Sequence, residues 1–133
     1  DEKMDHGPIL IQEKVEINEW KKNKDMEKYF AQIGANLFVN NLENILNKKI
    51  IPQTQNHDEA TFCNKYEKKD MELTEPLNSR INFLKYCAFP KPFFFDKNQK
   101  RNIVTEAEWK NQNFIIKKII PEGKKEKKII FQY

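Results

Sequence analysis

Cysteine is scarce in this sequence, and its two cysteines are not arranged as a metal site or a disulfide framework would require. Cys63 and Cys87 form no CxxC pair, and no cluster of histidines lies near them. Zinc sites and disulfide-rich domains depend on such patterns. We therefore expect two reduced thiols and no bound metal.

Long apolar runs are also missing. No stretch approaches the roughly 20 apolar residues that a membrane-spanning helix needs, and the first five residues lack the apolar segment of a secretory signal. The chain begins with Asp1 rather than Met, and Gly7-Pro8 with a β-rich run follows almost at once, as in a sequence entered midway. We expect a soluble, cytoplasmic and monomeric protein.

The composition is that of a folded chain with a heavily solvated surface. Hydrophobic residues make up 38% of the 133 residues and charged residues 33%, with a mean hydropathy of -0.87. That length fits one ordinary domain or two small ones with thin cores. The net charge is +4, and the surplus of lysine and arginine lies after Asp96. This excess favours a polyanion partner, although solvated lysine-rich faces are common.

The first half of the chain predicts one strand and one long helix. Residues 8–17 begin as an apolar run and end in alternation, which predicts a strand. Apolar residues then recur at helical spacing from Lys24 to Asn47, so we expect an amphipathic helix that packs on this strand. Gly34 lies inside that helix, where glycine lowers stability, and we expect it to mark close approach to a neighbouring element.

The second half predicts a short helix and a small sheet. A polar linker covers residues 51–61, and a helix is expected from Pro76 to Phe89. Strands are expected at 93–95, 103–109, 114–120 and 129–131, with a turn at 111–113. In the second of these strands, alternation places Ile103, Thr105, Ala107 and Trp109 on one face and the glutamates on the other.

Five groups of residues follow one another in an order that is more informative than any one of them. They are MDHGPIL at 4–10, YFAQIGANL at 29–37, PQ at 52–53 with ATFCNK at 60–65, INF at 81–83 with FPKP at 89–92, and IPEGKK at 120–125. In this order they resemble methionyl-tRNA formyltransferases over nearly the whole chain. The departures are Asn82 in place of the family's Arg, Phe89 in place of Trp and Lys91 in place of Gly.

The resemblance implies an α+β chain with two parts. Residues 1–52 would be the strand and helix that end a Rossmann-like formyltransferase α/β domain, and residues 53–72 a linker. Residues 73–133 would form a small OB-like C-terminal domain. The chain would then be the C-terminal half of a longer enzyme that formylates initiator methionyl-tRNA with 10-formyltetrahydrofolate as the formyl donor.

The resemblance also implies roles for the loop at the start of the chain. Asp5 takes the place of the family's catalytic Asp, while Met4, His6 and Gly7 would line the folate side of the pocket. The family's catalytic Asn and His belong to an upstream segment that has no counterpart here, so we expect this chain alone to be inactive. Without the resemblance, Asp5 before x-Gly-Pro is better explained as a turn residue than as a catalytic one.

Two basic groups are candidates for RNA contact. The resemblance matches Lys65, Lys68 and Lys69 to a basic linker that lies against tRNA in the family. A predicted β-turn adds Lys97, Lys100 and Arg101. Phosphate contacts of this kind position RNA without reading its sequence. Each group is also compatible with a solvated surface.

The aromatic residues of the expected strands leave a further choice open. Trp109 and Phe114 could stack on bases, but their place in alternating strands favours packing in the core.

Two other functions stay open at this point. A related formyltransferase that acts on a sugar nucleotide, or that hydrolyses formyltetrahydrofolate, would share the Asp5 loop. A non-catalytic RNA-binding module would use that loop only as a turn. The ATF run at 60–62 and the basic C-terminal part favour tRNA as the partner.

Overall fold

The computed structural model describes residues 4–129, which divide into two compact units. The first unit contains residues 4–19 and 25–64, and the second contains residues 20–24 and 65–129. The helices are α1 (Asn23–Leu46) and α2 (Arg80–Ala88), and the strands are β1 (Phe93–Phe95), β2 (Arg101–Lys110), β3 (Asn113–Pro121) and β4 (Lys127–Lys128). No helix among the described residues is long and apolar enough to cross a membrane.

The first unit is built around α1, as the helical spacing of the sequence predicted. None of the residues of α1 is buried, although its apolar side chains recur on one broad side. Phe38 is 54% exposed and Leu46 is 72% exposed. A β-carbon added at Gly34 would meet no atom within 4 Å among the described residues, so the close approach expected at this glycine is not found there.

The strand predicted at residues 8–17 does not form. Only Ile9 pairs with another strand-like segment, in an isolated antiparallel bridge to Gln53, with both N–O distances at 2.8 Å. A strand needs a neighbour along its length to satisfy its backbone groups. The described part of the chain offers residues 8–17 a partner at this one position only.

The second unit is a four-stranded antiparallel sheet, in the order β1-β2-β3-β4, with α2 against one face. The predicted hairpin between β2 and β3 is confirmed, and Asn111 and Gln112 take the left-handed conformation at its turn. Of the short strand predicted at 129–131, Ile129 is not in a strand and residues 130–131 lie outside the described part, while β4 forms just before it at Lys127–Lys128. The buried apolar residues of the described chain all lie in this unit, between Leu73 and Ile119.

A pair of register shifts corrects the predicted faces of β2. Val104 is opposite Ile119, yet the next pairs are Glu106 with Lys118 and Ala107 with Ile116, so each strand carries an extra residue. A bulge of this kind moves the following side chains to the other face. Val104 therefore faces the core together with Ala107 and Trp109, whereas alternation had placed Ile103 and Thr105 there.

Helix α2 begins later than predicted. Its N-cap is Ser79, whose Oγ accepts a hydrogen bond from the backbone N–H of Asn82 at 3.3 Å, and Pro76 lies in the preceding turn rather than in the helix. The fully buried side chain of Asn82 fixes that turn. It donates to the carbonyl oxygens of Thr74, Pro76 and Leu77 and accepts from the N–H of Thr74.

Candidate functional site

An open cleft of about 620 Å³ lies within the first unit. One wall comes from the loop at the start of the described chain and includes Met4, Asp5 and His6. The other wall comes from the segment 53–62, which the sequence placed in a linker. Clefts of this size that gather several polar side chains are the usual starting point for a binding-site hypothesis.

The Asp5 loop is held in place by the facing segment. The amide nitrogen of Gln55 donates to the carbonyl oxygens of Asp5 at 2.8 Å and of Gly7 at 2.6 Å. Two residues after Gly7, Ile9 pairs with Gln53 in the isolated antiparallel bridge, which joins the loop to the same facing segment. Gly7 thus contributes its backbone to the loop and is not among the residues that line the cleft.

Asp5 itself has an unusual backbone conformation. Its φ is +61°, in the left-handed region, which costs about 1 kcal/mol or more for most residues with a side chain but less for Asp or Asn. The bonds from Gln55 hold the backbone in this conformation, and the carboxylate is exposed at the cleft. A left-handed Asp before x-Gly-Pro is compatible both with a turn and with a displayed carboxylate.

The two histidines of the chain meet at this cleft. The rings of His6 and His57 are stacked with centroids 4.4 Å apart and planes inclined by 26°. They are distant in sequence, and neither periodicity nor a local motif could have paired them. The cleft therefore presents a carboxylate and two imidazoles, which are groups able to move protons.

The basic residues of the linker lie at the start of the second unit. Lys65 is exposed, and Lys68 and Lys69 lie in the 3-10 turn Lys68–Met71. Lys69 forms an exposed ion pair with Glu67 at 2.9 Å, which leaves its ammonium largely in solvent. These three cations can contact a polyanion, but a solvated surface accounts for them equally well.

The other basic group lies on a well-ordered turn between β1 and β2. One carboxylate oxygen of Asp96 accepts hydrogen bonds from the backbone N–H groups of Asn98 at 2.9 Å and Lys100 at 3.0 Å. These bonds, the one from Lys100 first, lower the pKa of Asp96. Lys97 and Lys100 are exposed on the turn, and Arg101 opens β2. Sequence reasoning predicted the turn but not the carboxylate that shapes it.

Trp109 and Phe114 pack with the core rather than forming an open stacking surface. Phe114 is 0% exposed, and Trp109 lies against Phe83 with ring centroids 5.5 Å apart. The guanidinium of Arg80 covers the Trp109 ring at 5.0 Å. The core interpretation of these two aromatics is therefore confirmed.

A second buried cluster lies where residues 20–24 meet α2. The Lys22 ammonium donates to the carbonyl oxygen of Tyr86 at 2.5 Å and lies 3.8 Å from the centroid of that ring. Burial lowers the pKa of Lys22 and raises that of Cys87. A cation at the last carbonyls of a helix is a common stabilising arrangement, so this cluster has a structural explanation. Within residues 4–129, no group of three or more His, Cys, Asp or Glu side chains could hold a metal ion.

No family model matches the chain, but comparison with curated proteins finds several relatives named methionyl-tRNA formyltransferase. Methionyl-tRNA formyltransferase of Ehrlichia ruminantium (strain Welgevonden) is 27% identical over 109 residues, which cover 82% of this chain and 35% of that protein. The Kosmotoga olearia enzyme is 34% identical over 93 residues, or 69% and 30%. The Mesoplasma florum enzyme is 38% identical over 60 residues, or 45% and 19%.

These matches confirm the resemblance to methionyl-tRNA formyltransferases. The chain spans about a third, or less, of the length of the curated relatives it matches.

Proposed function

We propose that this chain is the C-terminal part of a methionyl-tRNA formyltransferase, and that the intact enzyme acts in the cytoplasm. The observation that carries the proposal is the match over 82% of the chain to a protein of that name. In the proposed arrangement, residues 1–52 end a Rossmann-like catalytic domain, residues 53–72 form the linker, and residues 73–133 form an OB-like domain.

The proposed reaction transfers a formyl group from 10-formyltetrahydrofolate to the amino group of methionyl-tRNA. The amine nitrogen forms a bond with the formyl carbon, the bond from that carbon to N10 of the folate breaks, and the proton lost by the attacking nitrogen is balanced by one taken up at N10. Such a step requires a stabilised oxyanion, an oriented amine and a proton acceptor. Asp5 is proposed to assist the proton transfer by accepting a hydrogen bond from an upstream histidine or an ordered water.

The geometry of the cleft supports a catalytic role for Asp5. Its backbone is fixed by Gln55 while its carboxylate is exposed, so the charged group is accessible at the cleft. Met4 and His6 line the same cleft and are proposed to face the folate, while Gly7 supports the loop through its carbonyl oxygen, which accepts a hydrogen bond from Gln55. Two groups of cations in the second unit are proposed to contact tRNA phosphates. They are Lys65, Lys68 and Lys69 in the linker and Lys97, Lys100 and Arg101 at the turn between β1 and β2.

A chimera tests this proposal. The chain replaces the matching part of the Kosmotoga olearia enzyme, and formyl transfer to methionyl-tRNA is measured under single-turnover conditions. We expect an active chimera in which Asp5→Asn slows the chemical step by about 10²- to 10⁴-fold, the range for losing a group that assists proton transfer. The chain without the upstream part should form no product.

Asp58→Asn provides the matched control. Asp58 is an exposed carboxylate two residues from the lining residue Asn56 and is not itself among the residues that line the cleft. Its loss should leave the rate unchanged. A folded chimera without activity would contradict the proposed enzyme, and an active one indifferent to Asp5→Asn would contradict only the role of Asp5.

A further inference from the structure

The sheet of the second unit has one face away from α2, and this face carries an exposed aromatic ring. In an antiparallel pair, residues directly opposite each other point to the same side. Phe95 is opposite Arg101, Phe93 is opposite Ile103, and Ile103 is opposite Ile120. We call this group of five residues the outer face.

Phe95 differs from the two phenylalanines before it. Phe93 is 4% exposed and Phe94 is 5% exposed, but Phe95 is 44% exposed. Phe94 belongs to the core beside α2, and the rings of Phe93 and Phe95 meet edge to face, with centroids 5.6 Å apart. Packing within the described chain therefore explains Phe93 and Phe94 but leaves much of the Phe95 ring open to solvent.

The end of the sheet that carries Phe95 is positively charged. The Arg101 guanidinium lies 5.9 Å from the centroid of the Phe93 ring, and Lys97 and Lys100 project from the adjoining turn. Two carboxylates lie nearby: Asp96 accepts from backbone N–H groups of the turn and also interacts with Lys100, and Glu122 accepts from the backbone N–H of Arg101 at 3.4 Å. Within residues 4–129, no salt bridge involves any of these three cations.

The far end of the sheet is neutralised instead. Lys118 pairs with Glu106, and Lys117 pairs with Glu108 at 2.5 Å. Among the described residues, the sheet thus combines an exposed ring and three cations that form no salt bridge at one end with ion-paired lysines at the other. This uneven distribution indicates where a ligand with both a flat apolar part and a negative charge would bind.

We propose that the outer face is a stacking site for an unpaired base of RNA, with Phe95 against the base. Arg101, Lys97 and Lys100 would hold the adjacent phosphates. Aromatic rings on a sheet surface stack well on nucleobases, and cations beside them add a sequence-independent attraction. A purely apolar protein partner would leave these cations uncompensated. The inference rests on the proposed function for the identity of the ligand as RNA.

The test measures binding of the full chain to a fluorescent single-stranded octamer of riboadenylate by anisotropy. Phe95→Ala should weaken binding by about 5- to 150-fold, the range for losing one stacked base. Phe95→Trp should restore it, because the larger ring still stacks. Ile81→Ala is the matched control, since Ile81 is 66% exposed on α2 in the same unit and should leave the affinity unchanged.

Salt dependence separates stacking from charge. Phe95→Ala should leave the slope of log affinity against log salt unaltered, whereas Lys97→Gln and Arg101→Gln should each reduce its magnitude by about 0.7. An RNA duplex with the same number of phosphates offers no unpaired base, and its affinity should not respond to Phe95→Ala. Equal loss for duplex and single strand would overturn the stacking site.

Other outcomes also decide the matter. If Phe95→Ala changes the sedimentation of the chain without RNA, the outer face is a contact between copies, and the proposal is wrong. If the chimera formylates methionyl-tRNA but single-strand binding ignores Phe95→Ala, the inference fails and the proposed function stands. If single-strand binding depends on Phe95 while a folded chimera is inactive, the stacking site stands and the proposed formyltransferase function fails.

Discussion

The two units of this chain bury their apolar side chains to very different extents. None of residues 4–64 is buried, whereas the second unit has a closed cluster that includes Leu73, Val104, Phe114 and Ile116. Both regions carry apolar residues at regular spacing. The difference shows that a periodic pattern of apolar residues predicts which side of a helix or strand is apolar. It does not predict which other element buries that side. It agrees with the proposed division, in which the first unit ends a larger catalytic domain.

Cysteine reactivity should show the largest contrast between the units. Cys63 is exposed in the first unit, while Cys87 is buried in the second and its thiol lies 3.8 Å from the carbonyl oxygen of Trp20. Burial raises the pKa of Cys87, so the reactive thiolate is scarcer. We expect iodoacetamide to modify Cys87 about 10³-fold more slowly, or slower still, because labelling requires the core to open.

Mass spectrometry of the labelled peptides at a fixed pH near 8 measures both rates in one sample. In concentrated urea the two thiols should react alike, which controls for local sequence. Native rates within tenfold of each other would show that the core of the second unit opens readily, and the contrast between the units would be lost.

Removing an aromatic ring from each unit should give the next largest difference. Phe114→Ala takes away a fully buried ring, and we expect the free energy of unfolding to fall by about 3–5 kcal/mol. Phe38→Ala removes a ring that is 54% exposed on α1 and should change it by less than about 0.5 kcal/mol. Urea unfolding followed by circular dichroism checks both, and a comparable loss for Phe38→Ala would reveal packing on α1.

A pair of asparagines sharpens the same comparison for polar groups. Asn82→Ala leaves three carbonyl oxygens and one N–H of the turn before α2 without their partner, and we expect a loss of about 2–3 kcal/mol. Asn36 lies exposed on α1 and accepts one bond from Gln32. Asn36→Ala should stabilise by a few tenths of a kcal/mol, because alanine is the better helix former. The same urea unfolding measurements test both variants. A lower free energy of unfolding for Asn36→Ala would contradict the description of α1 as an exposed helix.

The sequence predicted those elements whose signals are local. The apolar spacing located α1 to within one residue at each end, and the polar run at Asn111 located the hairpin. The strand at 8–17 was wrong because its stability depends on a neighbour rather than on its own alternation. The faces of β2 were only half right, since an extra residue in a bulge leaves no mark on the alternation before it.

The candidate site was predictable only where a short motif marked it. The motif around Asp5 located the loop, but the contacts from Gln55 and His57 join positions far apart in the chain. No periodicity encodes such contacts. The exposure of Phe95 could not be predicted either, because nothing in the sequence distinguishes three successive phenylalanines and only the structure shows which of them is exposed.

Gly34→Ala has a small expected effect on the isolated chain, and it tests most directly what covers α1. In the chain by itself an added β-carbon meets no described atom within 4 Å, so the change should raise the helix content and the free energy of unfolding by at most about 1 kcal/mol. In the chimera with the upstream part of a formyltransferase, the same β-carbon would occupy the close approach expected of a glycine at this position. There we expect a lower melting temperature and weaker formylation. Stabilisation in both contexts would remove any packing role for Gly34, while destabilisation of the isolated chain would show that α1 already has a close neighbour within it.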